Sequence, residues 1–220
     1  MFCRYKVIDV FRIARPFEKE RFQQSEFAKI KSDKRLLWHG SRCTNYGGIL
    51  SQGLRIAPPE APVTGYMFDK GIYLADVSSK SANYTYSHTS DKNGLLLLCE
   101  AELGSPMQEL QSFCYNAAET AKKGGKVSTM GQGIVGPQRW IDASVAHPSL
   151  KGIKMVSSLP PPTPRWRCHD WKLMGDVSQP DPKLAPGPTN IKNSTLQYNE
   201  YICYSTDQVQ LRYLFRVKIL

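Results

Sequence analysis

Between Val209 and Ile219 the side chains alternate, and that pattern limits the fold more than any other stretch. Val209, Leu211, Tyr213, Phe215, Val217 and Ile219 fall on one parity, and Gln210, Arg212, Arg216 and Lys218 on the other. A period of two is that of a β-strand, with the first set on one face and the second on the other. Such a strand is stable only with partners, so the rest of the chain must supply a sheet. Leu95–Leu98, with Cys99 to Leu103 behind it and bounded by Asn93-Gly94 and Gly104, is predicted to be a buried strand, because Leu95–Cys99 is a continuous apolar run before Glu100 and Glu102. Lys6–Ile13 is a third strand, with Val7, Asp9, Phe11 and Ile13 alternating with Ile8, Val10 and Arg12. Arg35–His39 is a fourth, ended by Gly40, and Gly71–Ala75 a brief fifth.

Helices are few and short. Asn45–Gln52 is predicted helical, with Thr44 or Asn45 as N-cap and Gly53 as the stop. A second helix opens near Ser78 and Ser79 and runs through Tyr84. Pro58, Pro59 and Pro62 force an extended loop up to Gly65. Residues 111–197 hold ten of the fifteen prolines and read as an irregular loop or insertion. Strands near both ends and few helices predict an α+β fold, a sandwich of mostly antiparallel sheets with short flanking helices, in one domain over 1–220. No internal repeat is visible.

Composition narrows the setting. Of 220 residues 41% are hydrophobic and 22% charged, which fits a globular domain and not a disordered one. No apolar run approaches the roughly 20 residues of a membrane span, and Arg4, Lys6, Asp9 and Arg12 break up the start, unlike a secretory signal. Cys3, Cys43, Cys99, Cys114, Cys168 and Cys203 are scattered without a C-x-x-C pair, which predicts free thiols in an intracellular, soluble protein. The sequons at Asn83 and Asn193 then carry no meaning. A formal charge of +10 favours a polyanionic partner, nucleic acid included, although a soluble basic surface explains it equally well.

Two motifs invite a wrong reading. Gly131-Gln-Gly133-Ile-Val-Gly136 is a literal G-x-G-x-x-G, but Lys126–Met130 is not the buried strand a dinucleotide fingerprint follows, Pro137 excludes the helix, and no acidic residue stands about 20 positions on. It is a glycine-rich loop. Cys168-His169 lacks the spaced pairs of a zinc site, so no metal is expected, and His88, His147 and His169 are ordinary surface or loop residues.

Three segments stand out together: Leu36-Leu-Trp-His-Gly-Ser-Arg42, then Gly65-Tyr-Met-Phe-Asp-Lys-Gly-Ile-Tyr-Leu-Ala-Asp76 with Ser79-Lys-Ser-Ala-Asn-Tyr84, and Tyr198-Asn-Glu-Tyr201. Each alone has a plain structural explanation: a strand-end histidine, a core tyrosine, a solvent-facing glutamate. In order, however, they match the His-Tyr-Glu signature of the ADP-ribosyltransferase fold. The chain resembles the catalytic domain of the DNA-damage-responsive poly(ADP-ribose) polymerases, chiefly from Leu36 to Tyr84, again from Tyr198 to Leu220, and in the strand at Lys6–Ile13.

The resemblance implies an enzyme that splits NAD+ and transfers its ADP-ribose, with His39, Tyr73 and Glu200 catalytic. Tyr73 and Tyr84 would sandwich the nicotinamide, Gly40 and Ser81 would hold its carboxamide, and Ala75 would line the same pocket. His39, Ser41, Asn45 and Arg55 would contact the adenosine half, with Gly48 letting the short helix approach it. Tyr66, Met67 and Lys80 correspond to acceptor-side residues, and Glu200 favours chain growth over single-unit transfer. Acceptor proteins and poly(ADP-ribose) would be the partners, and nuclear localisation with a role in DNA repair follows from the family. A mono-ADP-ribosyltransferase and an inactive module binding polyanions are the rival readings.

The match has departures. Asp69 stands where close relatives have Gly, and tolerates a positive φ better than most residues. Leu74 replaces an aromatic residue. Lys126–Gly133 resembles the family's acceptor loop, whereas Pro160–Pro182, with Trp166 and Trp171, has no counterpart and reads as an insertion, a disordered loop or an unspliced intron. The helical regulatory domain that precedes the catalytic domain in relatives is expected to be absent, because the first strand starts almost at Met1.

Overall fold

The computed structural model describes residues 5–58, 60, 65–157 and 186–220. Pro160–Pro182, with Trp166, Cys168, His169 and Trp171, lies outside the described residues, as do Pro59 and Pro62. The elements run β1 (Tyr5–Arg12), α1 (Glu18–Gln24), β2 (Lys34–Gly40), α2 (Tyr46–Gln52), β3 (Ile72–Leu74), α3 (Ser78–Ala82), β4 (Asn93–Glu102), β5 (Gln108–Leu110), α4 (Ala117–Lys123), β6 (Ser128–Gly131), β7 (Gly133–Gly136), β8 (Trp140–Asp142), β9 (Lys154–Val156), β10 (Gly187–Pro188), β11 (Leu196–Tyr198), β12 (Glu200–Cys203) and β13 (Val209–Ile219). They form a six-stranded sheet in the order β1-β13-β4-β2-β9-β8, a four-stranded sheet β3-β12-β6-β5, and a small third sheet β10-β7-β11. Most pairings are antiparallel, as the α+β reading requires.

One core fills the space between the two larger sheets. Leu37, Leu97, Cys99 and Leu211 meet Ile72, Leu74, Tyr201 and Cys203 there. On the far side of the six-stranded sheet, Leu36, Leu96, Leu98, Phe215 and Val217 pack under Leu150 and Ile153. The four-stranded sheet carries a smaller cluster on its outer face, Phe68, Ala117, Leu196 and Ile202. Consecutive leucines of β4 therefore go to opposite cores, which is why the run Leu95–Leu98 has no polar alternation.

The long C-terminal strand differs from its sequence pattern in one respect. Leu211 lies opposite Cys99, and Tyr213 opposite Leu98, so Arg212 is an extra, bulged residue. Val209 and Leu211 consequently face the central core, whereas Tyr213, Phe215 and Val217 face the other one. The uniform alternation does not mean a single face. It spans a reversal that keeps apolar residues inward on both sides.

Three further expectations are corrected. The described part of 111–197 is not irregular: it holds α4, six short strands and two turns of 3-10 helix at Ala143–Val145 and Pro148–Leu150. Nor is Gly131–Gly136 a loop, and the residues before it do form a strand, β6. Its strands are too short and glycine-rich to show a period, and they exist because neighbours pair with them. A Cβ on Gly131 would meet Phe68 Cε2 at 2.5 Å, one on Gly136 would meet Asn199 Nδ2 at 2.8 Å, and one on Gly133 would run into the Tyr198–Asn199 backbone. These glycines serve strand packing. Finally, α2 has no side-chain cap from Thr44 or Asn45; it continues from a 3-10 turn at Cys43–Asn45, and Gly53 closes it at φ 84°.

Candidate active site

The site begins where the two large sheets touch. Trp38 N–H donates to Ala75 O at 2.7 Å and Ala75 N–H to Trp38 O at 2.9 Å, a bridge that ties the end of β2 to the end of β3. His39 is thereby set beside Tyr73, and its Nδ1 lies 3.0 Å from the Tyr73 carbonyl. A carbonyl only accepts, so Nδ1 carries the proton. Burial holds the imidazole below its ordinary pKa, opposed by that hydrogen bond, and at neutral pH Nε2 is a bare acceptor.

Tyr73 is fixed at its hydroxyl, which donates to Asp69 O at 2.8 Å and accepts from Phe68 N–H at 2.9 Å. Burial pushes this hydroxyl up, so it stays neutral and donates. The turn it holds needs Asp69 at φ 64°, the left-handed conformation anticipated for it, and the Asp69 carboxylate accepts from Lys70 N–H at 2.8 Å and Ala118 N–H at 3.4 Å. Tyr66 lies alongside, with ring centroids 6.0 Å apart. Tyr84, 54% exposed, presents its ring from the 3-10 turn after α3. Gly40 is required by contact: a Cβ there would collide with the Ser81 carbonyl, so only glycine lets β2 lie against α3.

Glu200 opens β12, opposite Gly131 of β6. Its carboxylate is buried, Oε1 meets Lys80 Nζ at 2.7 Å, and among the described residues Oε2 has no hydrogen-bond partner. Lys80 also points at Tyr198 O (3.4 Å) and Asn199 O (3.3 Å), so all three ammonium donors address the segment carrying Glu200. Strand alternation sends Tyr201 the other way, into the central core. There it donates to Asp76 Oδ2 at 3.0 Å and accepts from Arg35 at 3.1 Å, while Asn199 Nδ2 donates to the same Asp76 oxygen at 2.7 Å. Asn199 Oδ1 accepts from Gly133 N–H at 2.8 Å. Arg35 lies over the rings of Trp140 (4.7 Å) and Tyr201 (5.4 Å) and pairs with Asp33 at 2.8 Å.

Every residue singled out from the sequence lines one cleft of about 780 Å³: His39, Gly40, Ser41, Asn45, Gly48, Arg55, Tyr66, Met67, Tyr73, Ala75, Lys80, Ser81, Tyr84 and Glu200. Thr44, Gln52 and Leu54 line it too and carried no sequence signal. Arg55 donates to Gln52 Oε1 at 2.9 Å, and Asn45 to Ser41 Oγ at 2.9 Å. The Asp76 network was also missed, although Asp76, Asn199 and Tyr201 all stand within the quoted segments. Among the described residues no His, Cys, Asp and Glu converge as a metal cluster, and no helix is long and apolar enough to cross a membrane.

A domain with these packed sheets and this His, Tyr and Glu cleft has the ADP-ribosyltransferase fold. The family model for the poly(ADP-ribose) polymerase catalytic domain matches residues 2–160, and the chain belongs to that family. It is 43% identical over 213 residues to poly [ADP-ribose] polymerase 2 of Arabidopsis thaliana, covering 97% of this chain and 28% of the relative. It is 42% identical over 214 residues to poly [ADP-ribose] polymerase 1 of Gallus gallus (97% and 17%), and 39% identical over 212 residues to poly [ADP-ribose] polymerase 2 of Homo sapiens (96% and 30%). The chain thus spans less than a third of the length of these relatives.

Proposed function

We propose that the chain is an NAD+-dependent protein poly-ADP-ribosyltransferase. The observation that carries this reading is the Glu200 carboxylate, held at one oxygen by Lys80 with the other oxygen unpartnered, in the same cleft as His39 and Tyr73. The cleft's volume is within the ~300–1,000 Å³ of small-molecule sites, and it offers aromatic faces, a bare imidazole acceptor and close backbone. NAD+ fits this set. The Tyr73 and Tyr84 rings would flank the nicotinamide, the Gly40 backbone and Ser81 hydroxyl would take its carboxamide, and His39 Nε2 would accept from an adenosine-ribose hydroxyl. Ser41, Asn45, Gly48, Arg55 and Ala75 would shape the rest of the NAD+ site; Tyr66, Met67 and Lys80 would face the acceptor.

In the reaction the bond between ribose C1′ and the nicotinamide nitrogen breaks, and its electron pair neutralises the pyridinium. The free Glu200 Oε2 would accept from the 2′-OH and stabilise positive charge at C1′. An acceptor oxygen then bonds C1′, and its proton passes to the Glu200 carboxylate. Acceptors would be protein side chains and the hydroxyls of growing chains, in the nucleus, and the charge of +10 suits a polyanionic product or nucleic acid. Incubation with NAD+ tests this: released nicotinamide with a ladder of attached units on a gel is expected. A single attached unit would reduce the reading to mono-transfer, and no nicotinamide would overturn it.

A further inference from the structure

Lys80 poses an electrostatic problem. A carboxylate that must stabilise a developing cation loses strength when an ammonium sits 2.7 Å from it, in a site where both side chains are mostly buried. Asn199 joins Lys80 to a second carboxylate: its carbonyl faces Lys80 Nζ at 3.3 Å, and its amide donates to Asp76 Oδ2 at 2.7 Å. Asp76 is only 3% exposed, interacts with Lys80 by charge, and its Oδ1 has no hydrogen-bond partner among the described residues. Asp76 is not needed to complete either partner's hydrogen bonding, because a neutral amide oxygen could accept from Asn199 Nδ2 and Tyr201 Oη equally well. A buried charge kept where a neutral group would serve calls for another role.

We infer that Asp76 is a positioning residue acting through Lys80: it offsets the ammonium's charge, so that Lys80 holds Glu200 in place without cancelling the negative charge needed beside the reacting carbon. The inference rests on the function proposed above and deepens it. Asp76, Lys80 and Glu200 together carry two negative charges and one positive, one net negative charge. The remaining charged and titratable groups facing Asp76 are Arg35 from β2 and the Tyr201 hydroxyl from β12. Arg35 is already committed to Asp33 and to the Tyr201 oxygen, which leaves Lys80 as the cation with which Asp76 is balanced. Burial raises the Asp76 carboxyl to about 6, against the lowering effects of Asn199, Tyr201, Lys80 and Arg35, so its charge is present at neutral pH and disappears in mild acid.

The test is Asp76→Asn, which keeps the shape and one oxygen to accept from Asn199 and Tyr201, and removes the charge. At pH 8 the kcat for nicotinamide release should fall about tenfold while KM for NAD+ stays within about threefold. The parent should show an acidic limb in kcat near pH 6, and this limb should vanish in Asp76→Asn. Tyr201→Phe removes a hydrogen bond from Asp76 but not its charge, and should keep kcat within about threefold at pH 8. An unchanged kcat and pH profile in Asp76→Asn, or an equal loss in Tyr201→Phe, would overturn the inference. A readout independent of turnover is the ¹⁵N titration of the Lys80 ammonium. Its midpoint should move to lower pH in Asp76→Asn, and an unmoved midpoint overturns the inference even in a protein that fails to split NAD+. That failure would itself count against the proposed function alone.

Discussion

At the buried side of the cleft the side chains are locked by the fold: His39 by the Tyr73 carbonyl, Tyr73 by Asp69 and Phe68, Lys80 by Glu200 and two backbone oxygens. At the exposed side, among the described residues, the Asn45 and Arg55 side chains bond only to their near neighbours Ser41 and Gln52, and nothing lies within 4 Å of a Cβ on Gly48. Groups that must meet a transition state are held before the ligand arrives, since reorganisation during the reaction would subtract from catalysis. Groups that only grip the ligand can exchange local hydrogen bonds for ligand contacts at little cost. On the proposed function, the contrast would separate residues that set kcat from residues that set KM.

The hardest test of the locked side is Glu200→Gln. Chain growth should fall by more than about 100-fold, while NAD+ affinity stays within about threefold; retained polymer formation would place the chemistry elsewhere. Next come two glycines. Gly40→Ala must push a methyl into the Ser81 backbone, which cannot swing away, and should cost about 2 kcal/mol in urea unfolding. Gly48→Ala on the exposed side meets nothing and sits inside α2, so it should stabilise by about 0.5 kcal/mol and show its effect in KM.

The pH response gives a third, smaller contrast. His39 is held below its ordinary 6.5, so the stability it contributes is present above pH 6.5 and is lost as pH falls through its folded value. NAD+ affinity should weaken in the same window, because protonation removes the Nε2 acceptor. Asp76 runs in the opposite direction. With its folded pKa raised from 3.8 to about 6, its contribution is fully present below 3.8 and is lost as pH rises through about 6. Melting curves of His39→Gln and Asp76→Asn between pH 4 and 8 should therefore diverge from the parent at opposite ends. The smallest effect is Arg55→Ala, which should raise KM about threefold and leave kcat alone.

Legibility in the sequence follows the same division. The strands Arg35–His39 and Leu95–Leu103 were readable because Leu36–Trp38 and Leu95–Cys99 within them are uninterrupted apolar runs, and the cleft residues because three short segments carry them in order. What escaped depends on pairing between distant segments. β6 and β7 are built on glycines whose only reason is Phe68, Tyr198 and Asn199 across from them, and no local period announces such a strand. Likewise Asp76 acquires its meaning from Asn199 and Tyr201, more than 120 positions away. The reversal at Arg212 left no trace either, since apolar residues continue on the same parity through it.

That reversal makes the last strand a counted object. Six residues, Tyr213 to Lys218, are phased against β4 by one inserted position. Removing Arg212 would leave composition and hydrophobicity almost unchanged, yet would turn Tyr213, Phe215 and Val217 from one core into the other. Loops forgive a lost or gained residue; this stretch transmits it to its end. Indel scanning should thus find the C-terminal strand among the most length-intolerant parts of the domain, with conservative point changes there tolerated far better than a single deletion.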